Sequence, residues 1–286
     1  MNSINKFLNA ESIVATARML RSAKKEIILI VEGDDDIALF SHSLGLPRSN
    51  FISCAGKERL MEVFGLAPRA GLDAGTIFIR DADFDDLGFL DRDGVLLLTS
   101  DRYDFEMSLL PPRIFSRIFM EYLKTRSSPE LVKAAFQKIL SASSFIGAMR
   151  LVSHPSALNL DFQNSKLNFI DNGTLEVDNA KMVKYFLSKS GSSLKNSAEV
   201  VKIVQAEMSR GLGPLELSSG KDFLRVLSLA LNKHYKCCNS AECTFETLSR
   251  MFRMSVLQDD VRNLAIYDRL VKQVGKSGMA WTGNTL

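Results

Sequence analysis

Apolar residues in the first hundred positions alternate between helical spacing and short unbroken runs. Ile13, Ala17, Leu20 and Ala23 recur at intervals of three and four, which predicts a helix ahead of the strand EIILIVEG at 26–33. That strand's apolar run ends at Glu32-Gly33, and DDDIALFSHSLG then reads as a helix whose opening aspartates suit the positive end of its dipole. NFISCAG (50–56) reads as a strand, KERLMEVFGLA (57–67) as a helix, and TIFIRDAD (76–83) and GVLLLTS (94–100) as further strands. Nearly all-apolar strands alternating with helices predict an α/β fold, a parallel sheet with helices on both faces.

Beyond DFEMSLLPPRIFSRIFMEYL (104–123) the pattern becomes helix upon helix, at 130–152, 178–188, 196–209, 220–235, 243–254 and 259–273. Two regions are therefore predicted, an α/β domain over 1–125 and a mainly α-helical region over 126–286. Within the second, turn residues between apolar stretches at 162–179 suggest a small hairpin. The Gly-rich tail KSGMAWTGNTL is expected to be mobile.

Composition refines this picture. The longest apolar runs fall far short of the roughly 20 residues that span a bilayer, so no membrane association is expected. The first residues show no export signal, and a cytoplasmic location with reduced cysteines is expected. Formal net charge is +3, but the sign changes along the chain. Residues 1–125 carry 15 basic and 19 acidic side chains, leaving 21 basic and 14 acidic beyond. Carboxylates gathered in one region suit a cation, and a basic region suits a polyanion such as nucleic acid.

In open parallel sheets ligands sit outside the carboxyl ends of the strands. Glu32 follows one apolar strand and Asp81 and Asp83 follow another, so residues distant in sequence can meet at one sheet edge. Neighbouring carboxylates raise one another's pKa, and a hard divalent cation such as Mg²⁺ or Mn²⁺ is the usual means of keeping them ionised. Asp85, in the loop DADFDDLG, stands equally as a third carboxylate on the side of Asp81 and Asp83 or as a solvated loop acid, whereas Asp86 reads as a solvated loop residue.

A Glu-Gly at the end of IILIVEGDDD followed by the DAD after IFIR resembles the TOPRIM domain over roughly residues 25–110. The resemblance implies a Rossmann-like sheet in which Glu32 is a metal-binding or general acid/base carboxylate and Asp81 and Asp83 bind metal. Two more segments, AGKERL (55–60) and RYDFEMSLL (102–110), are similar to the TOPRIM proteins that partner ABC-type ATPases in bacterial antiphage defence, the effectors of PARIS-type systems among them. By that likeness Lys57 stabilises phosphate charge as a catalytic residue and Glu106 completes the metal shell. The family implies a Mg²⁺-dependent endonuclease, with RNA and specifically tRNA favoured as substrate. It also implies restraint by an ABC-type ATPase, and a homodimer. Asp36, in the DDD run, stands either as a ligand or as a helix-start residue.

Competing readings attach to several of these residues. Apolar strand followed by DAD also resembles the nucleophile motif of haloacid-dehalogenase-like phosphohydrolases, although the Thr that usually follows is absent and the motif is not on the first strand. A non-catalytic TOPRIM module for sensing or docking is a third reading. Lys57 stands equally well as a first-turn helix lysine, and Lys221 and Asp222 read best as residues at a helix start after Gly220. His234, Cys237, Cys238 and Cys243 lack the paired Cys-x-x-Cys spacing of a zinc site. His42 and His154 read as surface or packed histidines, and Cys54 as core packing.

Overall fold

In the computed structural model, which describes residues 9–23, 25–85, 89–123, 128–153, 160–191, 197–281 and 283, the apolar runs become the centre of a five-stranded sheet. Helix α1 (Ala10–Ala23) leads into β1 (Ile28–Val31), α2 (Asp34–Leu44), β2 (Phe51–Ser53), α3 (Lys57–Leu66) and β3 (Thr76–Arg80). β4 (Phe89–Arg92) and β5 (Val95–Thr99) complete it, in the spatial order β2-β1-β3-β5-β4. β1 pairs parallel with both β2 and β3, and β3 pairs parallel with β5. The strands following α2 and α3 thus fall on opposite sides of β1, and the strand order reverses between β1 and β3. A crevice forms at such a point in doubly wound sheets.

Alternation along each strand divides the buried residues between two faces. Ile28, Ile30, Phe78, Val95 and Leu97 pack with Ala10, Ile13 and Ala17 of α1 and with Leu60, Val63 and Phe64 of α3. Phe64 meets Phe78 edge-on at 5.2 Å. Complete burial of a ring such as Phe78 is worth about 2–3 kcal/mol, so the two-sided core is what holds these short strands in register. Leu29, Val31, Ile77 and Ile79 on the other face are equally buried.

The sheet is mixed, not wholly parallel: β4 runs antiparallel to β5. Its connection is the two-residue turn Asp93-Gly94, both with positive φ (53° and 87°), the backbone signature of a type I′ hairpin. β4 is an edge strand with Phe89 and Asp91 exposed, so its side chains carry little of the burial pattern that reveals a strand.

The chain divides after Asp101 rather than after residue 125. One compact unit comprises Met1–Asp101 with Val256–Leu286, and the other Arg102–Ser255. The second unit is helical: α4 (Phe105–Leu109), α5 (Phe115–Leu123), α6 (Pro129–Ser153), α7 (Asn179–Lys189), α8 (Ser197–Ser209), α9 (Pro214–Leu217), α10 (Gly220–Leu229) and α11 (Phe245–Ser255). α6 is its axis, packing against α5, α8, α9 and α10. The hairpin predicted at 162–179 reduces to one antiparallel bridge, Ile170 with Val177.

The chain then returns to the first unit as α12 (Gln258–Arg262) and α13 (Ala265–Ser277). The single helix predicted at 259–273 is broken at Leu264, whose extended backbone lets the Ala265 N–H bond the Asp101 carboxylate at 2.8 Å. α13 packs on β5, and Gln273 donates to the carbonyl of Gly94 at 2.8 Å, while α12 packs on α2. These helices share the sheet's core, which is why the boundary falls where it does. The expected mobile tail is also tied down as far as Ala280, whose N–H bonds the Lys25 carbonyl at 2.9 Å. Residues 282 and 284–286 of that tail lie outside the described residues. Among the described residues no helix is long and apolar enough to cross a membrane. Net charge divides by unit as it does by sequence, with 15 basic and 19 acidic side chains in the first unit and 21 and 14 in the second.

Candidate functional site

Glu32 directly follows β1 and Asp81 directly follows β3, the two strands that flank the reversal point. Because Val31 and Ile79 are register partners, the chain ends of both strands lie side by side, and the Asp81 N–H donates to Glu32 Oε1 at 3.0 Å. The sequence expectation that Glu32, Asp81 and Asp83 share one sheet edge holds at the level of backbone placement. Burial pushes the Glu32 carboxyl above the usual carboxylate range, the Asp81 N–H offsets part of that rise, and the Asp83 charge adds to it.

Lys57 enters the same edge from the turn after β2. Ala55 and Gly56 there both have positive φ (56° and 136°), and the Gly56 N–H bonds the Glu32 carbonyl at 2.8 Å, which sets Lys57 at the first position of α3. Its ammonium bridges two carboxylates, Asp83 at 2.6 Å and Asp85 at 2.8 Å. Lys57 is therefore part of the acidic cluster, beyond its place in the first turn of a helix. Asp85 is held down to about 2 by the hydrogen bonds it receives from Lys57 and Arg80.

Arg80 is a member of this edge that strand-end position does not reveal. It is the last residue of β3, with its side chain 1% exposed, and it braces the acidic loop from beneath. Its Nε donates to the Asp81 carbonyl at 2.8 Å, and one guanidinium nitrogen reaches Asp85 at 2.7 Å. Ser100, just after β5, accepts the Ala82 N–H at 2.8 Å. With the Asp85 N–H bonded to the Ala82 carbonyl at 2.9 Å, these contacts hold Asp83 in a left-handed conformation (φ 53°). A lone Arg ending the otherwise apolar run TIFIR was the available signal, since a buried guanidinium must find acceptors.

All the oxygen donors at this edge suit a hard cation. Magnesium takes only one or two protein carboxylates and fills its shell with water and phosphate oxygens, so Glu32 and Asp83 would be enough to hold it, with Asp81 adjacent. Asp85, also expected as a ligand, is at this edge, and Glu106 belongs to the second unit. Among the described residues no three His, Cys, Asp or Glu side chains are assembled for a metal ion. The physical reason is visible in the charges: Lys57 already neutralises Asp83 and Asp85, and Glu32 is turned to a backbone donor.

Other candidates have local roles. Asp36 accepts the Gly33 N–H at 2.8 Å and so stabilises the start of α2. Glu106 belongs to the second unit, on α4, where a Cβ on Gly220 would lie 2.1 Å from its own Cβ. Beside it, buried Asp104 accepts the N–H groups of Met107 (2.8 Å) and Gly220 (2.7 Å). Burial, with the Glu106 charge, raises its carboxyl well above the usual range. Ser219 caps α10, and Asp222 accepts from Arg150 at 2.7 Å, while the Lys221 charge acts on Asp104. Cys54 is buried and its thiol pushed up to about 12, in keeping with a packing role. The thiols of Cys237 and Cys243 donate to main-chain carbonyls, and burial raises both Cys237 and Cys238. His234 lies edge-on to Tyr235 at 4.6 Å. His42 sits in the last turn of α2. Asp86 and His154 lie outside the described residues.

No family model matches the sequence, and no curated protein matches it significantly.

Proposed function

We propose that the chain is a divalent-cation-dependent nuclease centred on Glu32, Asp81 and Asp83, with Lys57 and Asp85 governing the charge of that centre. One observation carries the reading. Acidic residues 49 positions apart in sequence are hydrogen-bonded at the reversal point of a doubly wound sheet, beside a lysine that can be exchanged for another cation. When bound, Mg²⁺ or Mn²⁺ supplies Lewis acidity toward a phosphodiester and lowers the pKa of a water it holds.

The chain's own residues account for the remaining work. Glu32, raised above the usual carboxylate range by burial, is suited to hold or move a proton. Lys57 can swing its ammonium from Asp83 to a phosphate oxygen without losing a charge-assisted bond. Arg80 and Ser100 fix the backbone on which Asp81 and Asp83 are mounted, so the carboxylates need little reorganisation.

The proposed substrate is RNA, and tRNA in particular. The excess of basic side chains in Arg102–Ser255 supports a polyanion, and the specific choice rests on likeness in segments 55–60 and 102–110 to AriB, the effector of the PARIS system. By the same likeness the protein acts as a toxic antiphage effector, a homodimer restrained by and released from an ABC-type ATPase. The test is incubation of the purified protein with Mg²⁺, total cellular RNA and plasmid DNA, followed by sequencing of new ends, with the ATPase added in a parallel arm. New RNA ends dependent on Mg²⁺ and absent with Glu32→Gln support the proposal. Cleavage unchanged by Glu32→Gln sinks it.

A further inference from the structure

The second unit contains a cavity of about 810 Å³ between the Pro111 kink, α5 and the first turns of α6, with Leu215 of α9 closing one side. We propose that it binds an amphipathic organic anion, a small molecule with one acidic head on an aliphatic or aromatic body.

The floor is apolar and fixed. Phe115 stacks on Phe119 at 5.1 Å and meets Phe136 edge-on at 5.2 Å, and both Phe115 and Phe136 are buried, so this wall does not need to move to admit a guest. Val132, half-buried, and Leu215 extend the same surface. Pro111, with ψ at 143°, turns the chain out of helix between α4 and α5, and the loss of that helical turn leaves the opening.

The rim supplies the charge. Arg113, Arg117 and Lys133 all line the cavity, and none of the described lining residues is acidic. Arg117 is held in place by the Ser255 carbonyl at 2.6 Å, a positioned guanidinium in place of a free one. Three cations around an apolar recess, with no acid among the described lining residues, repel a cationic guest and favour an anion over a neutral one. The size argues for a small molecule over a protein. The volume lies within the range of small-molecule sites, and Met120 is the one large hydrophobic residue of the lining that stands exposed among those described. A protein-docking surface would present its apolar side chains outward.

The test uses the full chain, with anilinonaphthalene sulfonate as fluorescent probe and decanoate below its micelle concentration as competitor. A single-site titration displaced by decanoate is expected. Val132→Trp, which sets an indole into the cavity against the Phe115 and Phe136 floor, should weaken the probe at least about tenfold, and the surface pair Arg113→Glu with Lys133→Glu should weaken it about tenfold while leaving the uncharged phenylnaphthylamine unchanged. Circular dichroism checks that each variant is folded. Equal probe affinity in wild type and Val132→Trp overturns the site. A charge-reversal variant that binds the anionic probe as wild type does overturns the assignment of an anion.

Discussion

Replacing Lys57 by Met removes the ammonium that bridges Asp83 and Asp85 while keeping a chain of similar length in the first turn of α3. The energy at stake follows from Asp85, which is held at about 2 against an ordinary value of 3.8. Unscreened, that depression would correspond to roughly 2 kcal/mol, but the Asp85 side chain is 29% open to water and Arg80 supplies part of it, so about 1 kcal/mol is expected for Lys57. The sign follows from linkage. A carboxyl depressed in the folded state stabilises above its unfolded pKa, and that contribution fades as pH falls from 3.8 toward 2. Urea denaturation of wild type and Lys57→Met should therefore differ by about 1 kcal/mol at pH 7 and converge as pH falls through that window. The same substitution releases Asp83 toward a cation, while Asp85 keeps its bond to Arg80. Removing one positive charge a few ångströms from a divalent ion should tighten Mn²⁺ binding about tenfold, read by electron paramagnetic resonance of free Mn²⁺. Unchanged or weaker Mn²⁺ binding in the variant would refute the idea that lysine and metal ion compete for these acids.

Three further outcomes follow from the geometry. Glu32→Gln keeps an acceptor for the Asp81 N–H, so its melting temperature should stay within a few degrees of wild type while Mg²⁺-dependent RNA cleavage is lost. Arg80→Met strips the loop carbonyls and Asp85 of their buried donor and should cost about 2–3 kcal/mol in urea denaturation, with activity falling as Asp83 loses its fixed backbone. Gly220→Ala sets a methyl 2.1 Å from the Glu106 Cβ and should destabilise by about 1–3 kcal/mol or more, a change that Glu106→Gly in the same chain should partly reverse.

Central strands proved readable and peripheral ones did not, for a physical reason. β1, β3 and β5 are buried on both faces, which writes an unbroken apolar run into the sequence. β4 has one neighbour and mostly exposed side chains, so FLDR carries no such mark and was not expected as a strand; the Asp93-Gly94 turn pair before VLLLT is its one local signal. The helical periodicity of 259–273 was legible, but which core it joins is decided by contacts such as Gln273 with Gly94, which leave no local pattern. At the acidic edge, strand-end position alone located Glu32, Asp81 and Asp83. Which acids are neutralised by Lys57, and that Arg80 holds the loop, depend on where side chains meet in space.

The return of Val256–Leu286 to the first unit has a consequence for how the protein is made. A ribosome delivers β1 to β5 early and α13 only after the helical unit, so β5 waits bare on its α13 side while that whole insertion is synthesised. The acid-bearing edge is then braced by a finished core only once the last helix has docked. Until then the incomplete chain lacks the packing that makes this edge rigid.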